Sequence, residues 1–349
     1  MMLSAVPAGG PAYRQRQHRR SLFMAALLTA MLALACLDLM SGATRIDVPG
    51  LWRLLLSTGP SDPTMQAIVW HVRMPQALMA LLVGAALGLA GAEMQTVLNN
   101  PLASPFTLGV SSAAALGAAL TLILGWRVAG IPADYVLVFN AFALAVACAM
   151  MLDAVARRSH IGAAAIVLFG IALVFTFNAL LALVQLMANA ADLQDLVFWM
   201  MGSLARSDWN KVAMMGAGLL LVFPFSLRNA WQLTAMRFGD DRAASFGVDV
   251  QRVRRNALLR VSVLAALAVA LVGVIGFVGL IAPHIARRLW GEDHRWYLPA
   301  SACVGCVILI AASVASKLIS DQMIVPVGIV TTLVGIPFFV VTLMRRRVL

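Results

Sequence analysis

The sequence predicts an all-α, polytopic membrane protein with about ten membrane-spanning helices. Of its 349 residues, 62% are hydrophobic and only 12% are charged, and the mean hydropathy is +0.90, whereas a soluble domain is about half apolar and about a quarter charged. A chain with this balance has too few polar side chains to cover a water-facing surface, which excludes a soluble enzyme, a nucleic-acid-binding domain and a disordered protein. The apolar residues also fall in runs of about 20, the length that a helix needs to cross a bilayer.

Ten apolar runs account for the predicted spans. The first follows a basic segment at 14–20 and is long enough to cross a membrane, so it indicates a retained helix and not a cleaved signal peptide. The second exceeds what one bilayer requires, which predicts a tilted or projecting helix, and the eighth meets Pro283 soon after it begins, which predicts a broken helix. The runs lie at 22–41, 66–95, 107–126, 132–155, 162–188, 211–227, 257–276, 278–289, 298–317 and 327–344.

The basic residues orient these spans. If the N-terminus lies in the cytoplasm and the spans alternate, most of the 26 Lys and Arg residues fall in cytoplasmic segments, as the positive-inside rule requires. The net charge of +11 therefore reflects orientation in a membrane and indicates no nucleic-acid partner. We expect a single transmembrane domain over 1–349, with a cytoplasmic N-terminus at 1–21, a large cytoplasmic loop at 228–256 and a cytoplasmic C-terminus.

The sequence lacks the residues of a nucleotide hydrolase. A P-loop requires Gly-Lys followed by Ser or Thr, and the only lysines, Lys211 and Lys317, follow Asn and Ser. Cys303 and Cys306 have the spacing of a metal or redox pair, but they have neither a second pair nor a histidine in the same run, and buried cysteine usually acts as a small hydrophobe. We therefore expect no metal and no cofactor, and any ATP hydrolysis must come from another chain.

The loop at 228–256 carries the signals of a short helix. Asp240 and Asp241 would lie at the positively polarised start of that helix, and Gly247 suits its C-terminal stop. A second helical stretch is predicted at 248–255. A solvated basic loop is the simpler alternative, but two short helices in the largest inner loop indicate a surface that docks against a partner.

Five segments, in order over nearly the whole chain, carry the motifs of one known family. They are 73–118, with Gln95, Asn100, Pro101 and Gly109; 198–204, followed by Trp209; 239–247; 276–299, with Pro283 and His284; and 325–339. Together they resemble the permease family of bacterial ABC importers for iron-siderophores, haem and vitamin B12, often called FecCD-type. Five motif segments in the same order identify the family far more specifically than any one of them does.

The resemblance implies a type II ABC importer permease in the bacterial inner membrane. Such a subunit is not an enzyme. It lies in the membrane lipid and pairs with an identical or similar subunit around a central pathway. Two ATPase subunits would bind its cytoplasmic face, and a substrate-binding protein would dock outside. We favour iron(III)-siderophore as the cargo because it is the commonest in the family; haem and vitamin B12 are alternatives. An ion-coupled secondary transporter is less favoured, because the few intramembrane ionisable residues form no relay.

The resemblance also implies roles for three groups of residues. ATPase coupling would involve Gly239, Asp240, Ala243 and Gly247. A cytoplasmic gate would include the small residues Gly162, Ala163 and Ala164, although ordinary helix packing explains small residues equally well. Docking of the binding protein would involve Arg73 and Lys317, with an interfacial anchor as the alternative for Arg73. His284 would either contact the cargo or make a structural hydrogen bond.

Several positions depart from the family's pattern. Ala312 and Ser316 stand where charged residues are usual, Ile324 and Val325 precede Pro326 where a glutamate is usual, and Gln76 replaces a common basic residue. These positions are predicted to lie near the outer face, so details of partner and cargo recognition do not transfer from the family. Glu93, inside an apolar run, is also atypical.

Overall fold

The computed structural model describes residues 11–42, 44, 46–56, 62–156, 163–319 and 325–345, and these residues form a helical bundle without β-strands. Val69–Arg73 forms a π-helical turn, and Pro105–Leu108 forms a 3-10 turn. The helices are α1 (Pro11–Met40), α2 (Val48–Leu56), α3 (Pro63–Ile68), α4 (Met74–Val97), α5 (Val110–Leu122), α6 (Ala133–Ala156), α7 (Ala163–Gln185), α8 (Ala190–Met200), α9 (Trp209–Arg228), α10 (Ala230–Met236), α11 (Asp240–Ser245), α12 (Val250–Val272), α13 (Val278–Trp290), α14 (His294–Leu318) and α15 (Val327–Arg345).

Most of the predicted spans are helices of membrane-spanning length. Within the described ranges, seven helical stretches are long and apolar enough to cross a bilayer: Gln15–Met40, Pro63–Val97, Ala133–Val155, Ala164–Gln185, Trp209–Arg228, Val250–Val272 and His294–Leu318. The shorter apolar helices Val110–Leu122 and Val327–Val341, together with α13, match the three remaining predicted runs. The prediction of an all-α, polytopic membrane protein is confirmed.

The structure corrects two local predictions. The stretch at 248–255 is not a separate helix, because α12 runs without a break from Val250 and is capped by the side chain of Asp249. The eighth span is not broken at Pro283, which lies inside the continuous α13. The interruption comes earlier, at 273–277, where Phe277 has a φ of +65°.

The helix α4 lies at the centre of the bundle. Nearly all of its residues from Pro75 to Val97 are buried, and it packs mainly against α14, α12, α13 and α9. By contrast, α1 exposes most of its surface. Because α4 is surrounded by protein, each of its polar groups must find a partner inside the bundle.

Glycines allow the neighbouring helices to approach α4 closely. Three of them face backbone atoms directly, and a Cβ atom at any of the three would overlap those atoms. The facing pairs are Gly84 with Gly305, Gly88 with Ser301, and Gly91 with Gly279. The Gly279 carbonyl receives no helical hydrogen bond from Pro283, which lacks an N–H, and its oxygen lies against Gly91. Small residues at these crossings permit the backbone contacts typical of membrane helix packing.

The bundle has two ends that carry different charged clusters. The first, called the basic end below, holds the start of α1, the end of α4, the segment from α10 to the start of α12, and the α13–α14 junction. These elements are joined there by hydrogen bonds, such as that from Trp290 Nε1 to the Arg20 carbonyl oxygen at 3.0 Å. The opposite end holds the end of α1, the π-helical turn and the end of α14, with Arg73 and Lys317.

The contact between α4 and α13 predicts the effect of a single methyl group. In Gly91→Ala the new Cβ would overlap backbone atoms of Gly279, which cannot rotate away, so we expect a loss of about 1–3 kcal/mol of stability. Gly216→Ala is the matched control, because the nearest atom to its Cβ is Leu82 Cδ1 at 3.7 Å. Thermal unfolding in detergent should give a lower unfolding temperature for Gly91→Ala than for Gly216→Ala. Equal unfolding temperatures would contradict the close contact of α4 with α13.

Candidate functional site

The short helix predicted in the large loop is present as α11. Gly239 precedes it with a φ of +94°, and Asp240 and Asp241 occupy its first turn, where the helix dipole favours acidic side chains. Ala243 is the buried residue of the helix. Gly247 follows with a φ of +80°, a conformation that glycine adopts without strain. Both glycines therefore set the path of the chain into and out of α11.

An exposed aromatic pair flanks α11. Phe238 and Phe246 are 50% and 56% exposed, and their ring centroids lie 6.3 Å apart in an edge-to-face arrangement. Arg237 lies over the ring of Phe238 at 5.5 Å. An exposed aromatic pair beside a charged side chain suits a surface that binds another protein.

Arg254 connects α11 with the end of α4. Its side chain is 2% exposed, and Nη2 donates to both carboxylate oxygens of Asp240 at 2.8 Å. Its Nε donates to the carbonyl oxygen of Val97 at 2.9 Å. Val97 is the last residue of α4, so its carbonyl has no partner within the helix, and a cation at a helix C-terminus is electrostatically favourable.

A second arginine of α12 binds α4 deeper in the bundle. Arg260 donates to Glu93 from Nε at 3.0 Å and from Nη2 at 2.8 Å, and the Glu93 side chain is 1% exposed. A buried carboxylate requires a paired, hydrogen-bonded cation, which accounts for a glutamate in this apolar helix. Glu93 stands out in the sequence as an ionisable residue within an apolar run, but no local pattern links it to Arg260.

A polar cavity of about 110 Å³ lies beside the end of α4. It brings together five residues of the first family motif segment, 73–118, with charged residues of the α10–α11 and α13–α14 segments. Its lining residues are Gln95, Thr96, Asn99, Asn100, Pro101, Arg237, Arg287, Glu292, His294 and Tyr297.

Hydrogen bonds and ion pairs organise this cavity. His294 Nε2 lies 2.8 Å from Thr96 Oγ1, and Nδ1 lies 3.1 Å from Thr234 Oγ1, so this buried ring joins α4 to α10. Glu292 pairs with Arg237 and with Arg287. Burial, with a smaller effect of the neighbouring Arg287, lowers the pKa of Arg237 from its usual value.

Three other predicted motif residues lie outside the cavity. Gly109 has a φ of +88° just before α5 and faces α7 near Leu173. Pro283 is buried within α13. His284, also in α13, places its ring 6.0 Å from that of Phe338 in α15.

The predicted gate falls at the edge of the described residues. Gly162 lies outside them, and α7 begins at Ala163. Ala164 is exposed in the single chain. A role for these three residues in gating stays a prediction.

Arg73 and Lys317 lie at the opposite end of the bundle, and both are buried. Arg73 is 5% exposed and donates to the carbonyl oxygens of Leu39 and Thr44. Lys317 Nζ lies 2.7 Å from Asp38 Oδ2, and Asp38 is fully buried. This arrangement attaches the end of α1 to α4 and α14, whereas the predicted docking role and the anchor alternative both place the Arg73 guanidinium at the surface.

The departures from the family pattern lie close to this cluster in the chain. Ser316 is buried and donates to the carbonyl oxygen of Val325. Gln76 and Ala312 are also buried, and Ile324 lies outside the described residues. Positions where the family usually carries charge are thus filled here by small or neutral side chains.

A bundle of apolar helices around a buried central helix, with a structured charged loop at one end, has the architecture of a membrane transport permease. The family model described as the FecCD transport family matches residues 13–345, and the chain belongs to this family of ABC transporter permeases.

Named relatives and a solved structure extend this comparison. The chain is 35% identical to the Fe(3+)-citrate import system permease protein YfmE of Bacillus subtilis, over 93% of this chain and 95% of the relative. It is 34% identical to the vitamin B12 import system permease protein BtuC of Pectobacterium atrosepticum, over 96% and 97%. A solved structure described as an inward-facing conformation of a putative metal-chelate type ABC transporter matches with a TM-score of 0.81 and 29% identity, over 93% of this chain and 99% of that one.

The buried Asp38–Lys317 pair predicts that a single substitution lowers stability more than replacement of both residues. Lys317→Met would leave the buried Asp38 carboxylate without its cation, and removal of one partner of a buried pair costs about 3–5 kcal/mol. We therefore expect a clearly lower unfolding temperature in detergent. The double variant Asp38→Leu, Lys317→Met should recover part of the loss, because neither member of the pair then remains as a buried charge without its partner; the nearby buried Arg73 still loses the Asp38 carboxylate. Wild-type stability of Lys317→Met would argue against the pair.

Proposed function

We propose that the chain imports a metal chelate as the membrane-spanning subunit of an ATP-driven complex, and that iron(III)-siderophore is its cargo. The observation that carries this proposal is α11, a capped helix on the basic end that has an exposed aromatic pair and is tied by Arg254 to the central helix. ATP binding in a separate subunit moves the permease only through a contact that differs between two states. The position and attachments of α11 suit it to that contact.

The choice of cargo rests on the family. The names of the relatives described above include Fe(3+)-citrate and vitamin B12, and both compounds are metal chelates. We favour iron(III)-siderophore because it is the commonest cargo of the family. Haem and vitamin B12 are the alternatives. A panel of labelled chelates distinguishes them directly.

The proposed assembly follows from the two ends of the bundle. The basic end faces the cytoplasm of a bacterium, in accordance with the positive-inside rule, and binds two ATPase subunits. A second, identical or similar permease pairs with this one, and we propose the small residues Gly162, Ala163 and Ala164 as part of its cytoplasmic gate. The substrate-binding protein docks at the opposite end, where Arg73 and Lys317 support the docking surface by holding α1, α4 and α14 together.

Ion-coupled transport is the competing mechanism. A relay needs intramembrane groups that exchange protons or ions. Asp38 and Glu93 are instead each bound to a cationic side chain. These pairs favour a structural role for both carboxylates, and thus an ATP-driven permease.

Transport by the reconstituted complex tests the proposed function. The permease, its cognate ATPase and its binding protein would be placed in proteoliposomes and supplied with labelled chelates. We expect uptake that requires ATP and is insensitive to an uncoupler, with iron(III)-siderophore preferred over haem and cobalamin. Uptake that continues without ATP and stops with the uncoupler would instead support the ion-coupled carrier.

The backbone of Gly247 predicts a selective loss of coupling. A Cβ atom at this position meets nothing within 4 Å, so it causes no overlap, and the positive φ costs an L-residue about 1–2 kcal/mol. Gly247→Val should therefore insert normally but shift the end of α11 and lower ATP-driven uptake. Gly247→Asn is the control, because asparagine tolerates this conformation. Normal uptake by fully expressed Gly247→Val would count strongly against α11 as the coupling element.

A further inference from the structure

We infer that Arg254 is the positioning residue through which displacement of α11 reaches the central helix α4. This inference rests on the proposed function, because it assigns the path taken by the force that the ATPase delivers. It adds a residue of α12 that lies outside the predicted coupling segment at 239–247.

The bonds of Arg254 join three elements with one rigid group. The guanidinium is planar, so its nitrogens cannot be reoriented independently. Nη2 holds the carboxylate of Asp240 and Nε holds the carbonyl of Val97. Nη1 is buried without a hydrogen-bond partner among the described residues, so the two bonded nitrogens set the orientation of the group. A displacement of Asp240 must therefore either move the end of α4 or break one of these bonds.

Further ties make α4 and α12 move together at this end. Arg260 binds Glu93, which lies one turn before Val97 on α4. The helix α12 therefore contacts α4 through two arginines, Arg254 and Arg260. His294 adds a link from Thr96 of α4 to Thr234 of α10, the helix that leads into α11. The end of α4 is thus fixed to both elements that flank α11, while the aromatic pair Phe238 and Phe246 stays exposed for a partner.

A purely structural role is the alternative. Arg254 would then serve only as a C-terminal cap of α4, and Asp240 would only neutralise its charge. Loss of a cap lowers the stability of the permease and reduces transport in proportion to the folded protein. Loss of a transmission element instead reduces the amount transported per ATP hydrolysed by a folded, assembled complex.

Two aspartates in the same turn provide a matched pair of variants. Asp240 binds Arg254, whereas Asp241 is exposed and makes no ion pair among the described residues. Asp240→Ala and Asp241→Ala remove the same charge from the same helix end. Both would be assembled with the ATPase and the binding protein in proteoliposomes, and substrate transported per ATP, ATPase retained on copurification and unfolding temperature would be measured.

We expect Asp240→Ala to lower transport per ATP by about fivefold or more, the lower range of allosteric coupling, with the ATPase still bound, and Asp241→Ala to lower it clearly less, because only Asp240 is joined to α4 through Arg254. Arg254→Lys keeps the charge but reaches only one partner at a time, so it should retain more coupling than Arg254→Met.

Other outcomes would overturn the inference. Equal effects of Asp240→Ala and Asp241→Ala would assign the loss to helix electrostatics. Loss of the ATPase from Asp240→Ala would indicate a direct contact with that subunit, and losses that follow the unfolding temperature across all variants would indicate a cap only. Absence of ATP-dependent transport by the wild-type complex would instead refute the proposed function, and the role of Arg254 with it.

Discussion

The burial of α4 on all sides is the constraint on which the rest of the structure depends. A helix enclosed by protein cannot turn a polar group toward water, so each such group needs a partner in a neighbouring helix. The glycines at 84, 88 and 91 bring the backbones of α13 and α14 against it. The charged groups of α12 satisfy Glu93 and the last carbonyl of α4. The central helix is therefore held by close packing along its length and, at its basic end, by one ion pair and a hydrogen bond from a charged side chain.

The arginines at the basic end have two physical roles. In the sequence they serve as orientation signals, because basic loops remain on the cytoplasmic side. In the structure several of them are also bound to acidic partners: Arg20 to Asp293, Arg237 to Glu292 and Arg254 to Asp240. Charges that fix the topology thus also connect the loops to the ends of the helices, which gives a loop movement a route into the bundle.

Length and local chemistry allowed most of the fold to be predicted. Apolar runs of bilayer length gave the spans, and the acidic first turn with Gly247 gave α11. Long-range pairing could not be predicted in this way, because Glu93 and Arg260 are 167 positions apart and neither residue carries information about the other. The burial of Arg73 was missed for the same reason: its carbonyl partners belong to α1 and to the segment that follows it.

Local rules also failed where tertiary packing decided the outcome. Pro283 predicts a break, but it lies in the second turn of α13, where the carbonyl that it leaves unbonded is enclosed against Gly91. The stretch at 248–255 has the composition of a short loop helix, yet the Asp249 cap and the bonds of Arg254 make it the first turns of α12. In both cases the contact with α4 explains why the element is continuous.

The most direct test of the central claim is a distance measurement between α11 and the end of α4. Spin labels would be attached at Ser245 in α11 and at Leu102, in the turn that follows the end of α4. Both residues are exposed, and the labels would be introduced in a background without the four native cysteines. We predict that ATP binding changes the distance between the Ser245 labels of the two permease subunits, while the Ser245–Leu102 distance within each subunit stays constant. A change within the subunit as large as that between subunits would show that α11 moves independently of α4, and would contradict the claim.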